Sequence, residues 1–130
     1  MGKIIPFRKI TQEYLQTHNF TVFVFGDNLL RIGTGGAAKL RSLPNTHGFI
    51  TKKKPTNDDD AFFAPEEYLP VFEEEIKRLK EYVKSLPNTQ FLISKVGAGL
   101  ANKYHIFEEV IRDRMVKEFT DFDNVYFLWD

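Results

Sequence analysis

The run Thr21–Phe25 (TVFVF) carries no polar alternation, so neither face of the strand it forms can be left in water. A strand of that kind belongs inside a sheet covered on both sides, as in parallel α/β architectures. The residues that follow sharpen the constraint. Gly26–Gly36 forms a glycine-bearing loop, and Ala37, Ala38, Lys39 and Leu40 are good helix formers. Strand, glycine loop and helix start together offer backbone N–H groups to a phosphate, since glycine permits close approach and a helix N-terminus favours an anion. Gly26, Asp27 and Asn28 stand where the strand ends, the position at which open α/β sheets hold ligands.

The rest of the chain repeats this grammar. Lys3–Phe7 reads as an edge strand ending near Pro6, and Thr11 caps a short helix over Gln12–His18. Ala37–Ser42 is a short helix and Gly48–Lys52 (GFITK) a second buried strand. Lys53–Ala61 (KKPTNDDDA) is polar. Its three consecutive Asp residues read as a solvated loop, because cation-binding loops space their carboxylates apart. Pro65–Ser85 places Leu69, Phe72, Ile76, Leu79 and Val83 on one helical face. Phe91–Val96 is a third buried strand, followed by a second glycine loop, Gly97-Ala98-Gly99-Leu100-Ala101. Tyr104–Phe119 is an amphipathic helix and Val125–Trp129 the last strand. Helices alternating with short apolar strands predict an α/β fold, a three-layer α/β/α sandwich with a mostly parallel mixed sheet. At 130 residues, 42% of them hydrophobic, the chain suits one domain over residues 1–130.

Composition narrows the partners. Eighteen Lys plus Arg balance eighteen Asp plus Glu, which argues against duplex nucleic acid as the main partner. The absence of cysteine excludes disulfides and thiolate chemistry. No apolar run approaches the roughly 18 residues that span a bilayer, so no membrane partner is expected. The N-terminus MGKIIPFRKI carries no signal-peptide pattern, and a cytoplasmic location is the expectation.

Neither glycine loop is a Walker A or GxGxxG motif, so magnesium-dependent ATP hydrolysis is not indicated. Their weight comes from occurring twice, each after a buried strand, because two central strands would bring the loops across one cleft. His18, His47 and His105 lack metal-ligand spacing, and neither a metal nor a cofactor is expected. His105 stands near the second loop, where a ligand contact is one reading. Lys52 ends a buried strand and Lys95 lies within one, where apolar surroundings lower a lysine pKa or aim its charge at an anion.

With Asn28 followed by Gly33-Thr34-Gly35-Gly36-Ala37-Ala38, and Gly97-Ala98-Gly99-Leu100 after a later strand, the chain resembles the macro domain, the ADP-ribose-binding module. The stretch GFITKKKPT, Gly48–Thr56, resembles the branch containing terminal ADP-ribose protein glycohydrolase. FGDN with GTGGAA also resembles short macro-like proteins of phages and bacteria. The resemblance spans about Thr21 to Leu128 and implies a macro-domain-like fold that binds ADP-ribose or a related NAD-derived nucleotide. It implies that Gly33, Thr34, Gly35, Gly36 and Ala37 contact the distal ribose and diphosphate. Gly97, Ala98, Gly99, Leu100 and Ala101 would close over the phosphates from the other side, with the flanking Val96 and Asn102 also at the ligand. Asn28 would lie by the distal ribose and, in an enzyme, position substrate or water, and Lys52 matches the lysine that attacks the ribose anomeric carbon in the glycohydrolase branch.

Two departures stand out. That branch has an acid after the second loop's Gly-Leu pair, where this chain has Ala101 and Asn102. The early aspartate that binds adenine in many macro domains has no acidic match near Arg8-Lys9-Ile10-Thr11. The implied activities are release of ADP-ribose from a modified macromolecule and hydrolysis of ADP-ribose-1″-phosphate. The alternative is a scavenger or interaction protein that holds a nucleotide signal without turnover. With no acid for the base, stacking on Tyr104, Phe127 or Trp129 is expected.

Overall fold

The computed structural model describes residues 2–33 and 35–129, and the side chains of Gly36 and Ala37 lie outside the description. Five strands form one sheet: β1 (Lys3–Ile5), β2 (Thr21–Asn28), β3 (Thr46–Lys52), β4 (Gln90–Ser94) and β5 (Val125–Leu128). Their order is β1-β5-β4-β2-β3, and every neighbouring pair is parallel. The mixed sheet expected from the sequence is therefore parallel throughout. Three α-helices accompany it: α1 (Gln12–Thr17), α2 (Pro65–Ser85) and α3 (Arg112–Glu118).

Alternation along the strands sends their side chains to two apolar clusters. Val22 and Val24 join Phe91, Ile93, Val125 and Phe127 under α2 and α3, with Phe72, Ile76, Leu79 and Met115. Phe23, Phe25, Leu92 and Leu128 join Ile10, Leu15 and Leu40 in the second cluster. Successive residues of a strand face opposite sides, so a continuously apolar strand needs both clusters.

Local signals set the helix starts. Thr11 Oγ1 accepts the Tyr14 N–H at 3.1 Å and opens α1. Pro65 occupies the first turn of α2, where Glu67 Oε1 accepts the Ala64 N–H at 3.1 Å. The single helix expected over Tyr104–Phe119 is broken up. Phe107–Ile111 is π-helical and Arg112–Glu118 is α-helical, while the second glycine loop just before them carries a 3₁₀ turn at Leu100–Asn102. The short helix after the first glycine loop is likewise 3₁₀, over Gly36–Leu40.

β3 lies at a sheet edge, and α2 satisfies the backbone groups that no strand reaches. Glu75 Oε1 accepts the Ile50 N–H at 2.7 Å, the Tyr68 hydroxyl donates to Ile50 O at 2.6 Å, and Arg78 donates to Gly48 O at 2.7 Å. Side-chain caps of this kind keep an edge from pairing with another chain. His47 lies in the same seam beside the Tyr82 ring, its Nε2 buried without a hydrogen-bond partner.

Candidate functional site

β2 and β4 are neighbours at the centre of the sheet, yet the chain leaves them in opposite directions. From β2 it passes to β3 on one side, and from β4 to β5 on the other. The carboxyl ends of such a strand pair cannot be bridged by either connection, and a crevice opens between them. A cleft of about 600 Å³ lies there.

Residues singled out in the sequence line it from both sides. Gly26, Asp27 and Asn28 come from the end of β2, Gly33 and Gly35 from the first loop, and Lys52 from the end of β3. Val96, Gly97, Gly99, Leu100 and Ala101 face them from the second loop. The two loops need glycine for different reasons than openness alone. Gly33 has φ +101° and would set a Cβ 3.0 Å from Pro55, while Gly97 has φ +82° and would set one 2.5 Å from Ile111 Cδ1. Gly35 and Gly99 have open space around them.

The first loop is held by two side chains. Arg41 donates twice to the buried Asp27 carboxylate, at 3.0 and 2.7 Å, and once each to Gly33 O and Ile32 O, both at 3.0 Å. A planar guanidinium suits this fork. Gly48 makes the arrangement fit, since a Cβ there would sit 2.2 Å from Asp27 Oδ2. Asn28 donates from Nδ2 to Ile32 O at 2.7 Å and accepts the Leu30 N–H at 3.0 Å. Both of its polar groups are thereby used within the loop, so it shapes the cleft wall.

Lys52 donates from Nζ to Thr56 O at 2.6 Å and to Asn57 Oδ1 at 3.4 Å, and lies 5.0 Å from the Phe62 ring centre. Desolvation pulls its pKa below the usual lysine value. Asp27 is the one acidic residue lining the cleft among the described residues, and Arg41 neutralises it. Lys52 and Lys95, the latter also on the lining, have no carboxylate partner there. The cleft therefore favours an anion.

Several residues expected at the site lie elsewhere. Trp129 is only 9% exposed: its Nε1 donates to Ser94 O at 3.0 Å and its ring packs on Phe107 and Phe127. It is a core residue, because its side chain joins the cluster under α2 and α3 while its neighbour Leu128 joins the cluster on the opposite face. Phe127 is fully buried beside it. Tyr104 is partly exposed but not on the cleft lining; its ring lies near the Lys103 ammonium. Asn102 turns into its own turn, donating to Glu108 Oε1 and accepting the Phe107 N–H, both at 2.9 Å. Ala98 packs against the core under α2 and α3. His105, with φ +66°, points to Glu108. Thr34 lies outside the described residues. Gly36 and Ala37 begin the 3₁₀ helix after the loop.

The cleft also gathers residues the sequence reading passed over: Phe7, Ile32, Thr51, Pro55, Asn57 and Ser94. For Phe7 and Ser94 a signal was available. In a parallel sheet every strand's carboxyl end reaches the same edge, so residues at the ends of β1 and β4 belong there.

A family model described as a family of unknown function, DUF7831, matches residues 6–103. Every cleft-lining residue, from Phe7 to Ala101, falls within the match. Comparison with curated proteins and with solved structures gives no match. The chain belongs to the family of unknown function DUF7831.

Proposed function

We propose that this chain is a macro-domain-like, three-layer α/β/α module that binds ADP-ribose or a related NAD-derived nucleotide in the cleft between its two glycine loops. The observation that carries this reading is the convergence of both loops and of Lys52, which has no carboxylate partner there, on one crevice at the sheet's switch point. The loops offer close backbone approach to a diphosphate, and Lys52 and Lys95 balance its charge. Phe7, 70% exposed at the rim, supplies the aromatic face sought in Tyr104 and Trp129. A cytoplasmic setting, with a free nucleotide or an ADP-ribosylated macromolecule as partner, belongs to the same reading.

Calorimetry with ADP-ribose tests it. The wild-type protein binds, and Gly35→Glu, whose side chain enters open space and adds a negative charge, stays folded and does not. Absence of wild-type binding at millimolar ligand overturns the reading.

The same cleft supports two outcomes for the ligand. Lys52 lines the cleft and matches the lysine that attacks the ribose anomeric carbon in the resembled glycohydrolase branch, which favours hydrolysis of ADP-ribosyl or ADP-ribose-1″-phosphate linkages. Against turnover stands the acid inventory: Asp27 is occupied by Arg41, leaving no free carboxylate on the described lining to move a proton. The binding module is therefore the conclusion, and the hydrolase is its second form. Release of ADP-ribose from a modified macromolecule, lost in Lys52→Ala, would establish the hydrolase. Recovery of intact ligand after denaturation would establish a holder.

A further inference from the structure

Beside the cleft lies a second, apolar pocket of about 430 Å³. Ile10, Phe23, Leu40 and Leu128, each less than a tenth exposed, line it. Phe7 and Ser94 line both pocket and cleft, so the two adjoin. An apolar pocket adjoining the crevice proposed for the phosphates suits the base of a nucleotide.

The polar side chains around this pocket are unusual in kind. They are Arg8, Lys9, Lys39 and Ser94, and no Asp or Glu lines it among the described residues. Arg8 is anchored by one donor, Nη2 to the Tyr14 hydroxyl at 2.7 Å, with its guanidinium over the Tyr14 ring. The side chains of Lys9 and Lys39 make no hydrogen bond or ion pair among the described residues. Four of the other lysines have carboxylate partners, Lys53 with Glu67, Lys54 with Asp60, Lys80 with Glu118 and Lys103 with Asp59; what sets Lys9 and Lys39 apart is that they share one apolar lining with Arg8 and no acid. A neutral base has no charge to offer three cations. The diphosphate is already served by the glycine loops and Lys52, on the far side of Phe7 and Ser94.

From this we infer that the ligand carries a further phosphomonoester on the ribose of its base half, held by Lys9 and Lys39 with Arg8. Basic residues beside a nucleotide ribose are the usual means of accepting such a phosphate. The inference rests on the nucleotide reading of the cleft and narrows it to a phosphorylated form.

Calorimetry with ADP-ribose and with ADP-ribose 2′-phosphate, at low and high salt, tests it. Charge-assisted hydrogen bonds predict that the 2′-phosphate form binds about tenfold tighter or more. The preference shrinks as salt rises. The double variant Lys9→Gln, Lys39→Gln brings the ratio to about one, while Gly35→Glu removes binding of both. Adenosine 2′,5′-bisphosphate and adenosine 3′,5′-bisphosphate, used as competitors beside AMP, report which hydroxyl carries the phosphate; a gain over AMP by either supports the inference. Equal affinity for all these ligands in the wild type overturns it and leaves the cleft reading standing. A preference that survives in the double variant overturns the assignment to these lysines. Failure of every ligand to bind removes both the inference and the reading beneath it.

Discussion

Arg41→Ala should loosen the first glycine loop and destabilise the fold together. The Asp27 side chain is 2% exposed, and Arg41 gives it two of the four hydrogen bonds that the guanidinium makes. Stripping one partner from a buried pair costs about 3–5 kcal/mol, chiefly through the charge left behind. Two features reduce that here. The Arg41 side chain is 23% exposed, and Asp27 keeps the Asn28 N–H at 2.8 Å and Arg31 at 3.7 Å. The expected loss is about 2–3 kcal/mol, or roughly 10 °C in Tm for a chain of this size. Urea unfolding followed by Trp129 fluorescence and circular dichroism measures it. Arg41→Lys recovers less than half, since an ammonium cannot fork between two carboxylate oxygens and two carbonyls. The double variant with Asp27→Ala should lose less than the two single losses added together, by about 2 kcal/mol. Additivity within about 0.5 kcal/mol would refute a coupled tether.

Three further outcomes follow from the same structure. Burial, with Arg78 and Arg31 nearby, lowers the His47 pKa from 6.5 to about 4. The unfolded chain then binds more protons between those values, so stability falls as pH drops from 6.5 towards 4. About 2 kcal/mol should be lost by pH 5, read from urea midpoints, and His47→Gln should flatten that window. Gly97→Ala meets both a positive φ and Ile111 Cδ1 at 2.5 Å, so it should cost about 1–3 kcal/mol, and an unchanged Tm would contradict the loop geometry. Trp129→Ala should cost about 3–5 kcal/mol as a core truncation. In calorimetry below its unfolding transition, it should leave nucleotide affinity unaltered, because its ring lies in the core.

Much of the architecture was written locally. Apolar runs such as Thr21–Phe25 demand cover on both faces, and the Leu69–Val83 spacing demands a helix with one buried side. Glycines 33 and 97 stand where the backbone turns to positive φ. These are properties of adjacent residues, which sequence displays directly. Strand order, and with it the uniformly parallel sheet, depends on pairings between distant segments. So does the fate of each polar side chain. Asp27 read as a ligand contact because nothing nearby in sequence reveals that Arg41 will occupy it, and Asn28 did because the path of the loop, not its residue types, brings the Ile32 carbonyl to its amide. Trp129 read as a rim aromatic because the face of the sheet that its ring enters, under α2 and α3, is settled only by packing. Phe7 lies far in sequence from both glycine loops. The parallel sheet brings all of their strand ends to one edge, and only tertiary packing could decide which side chains remain free there.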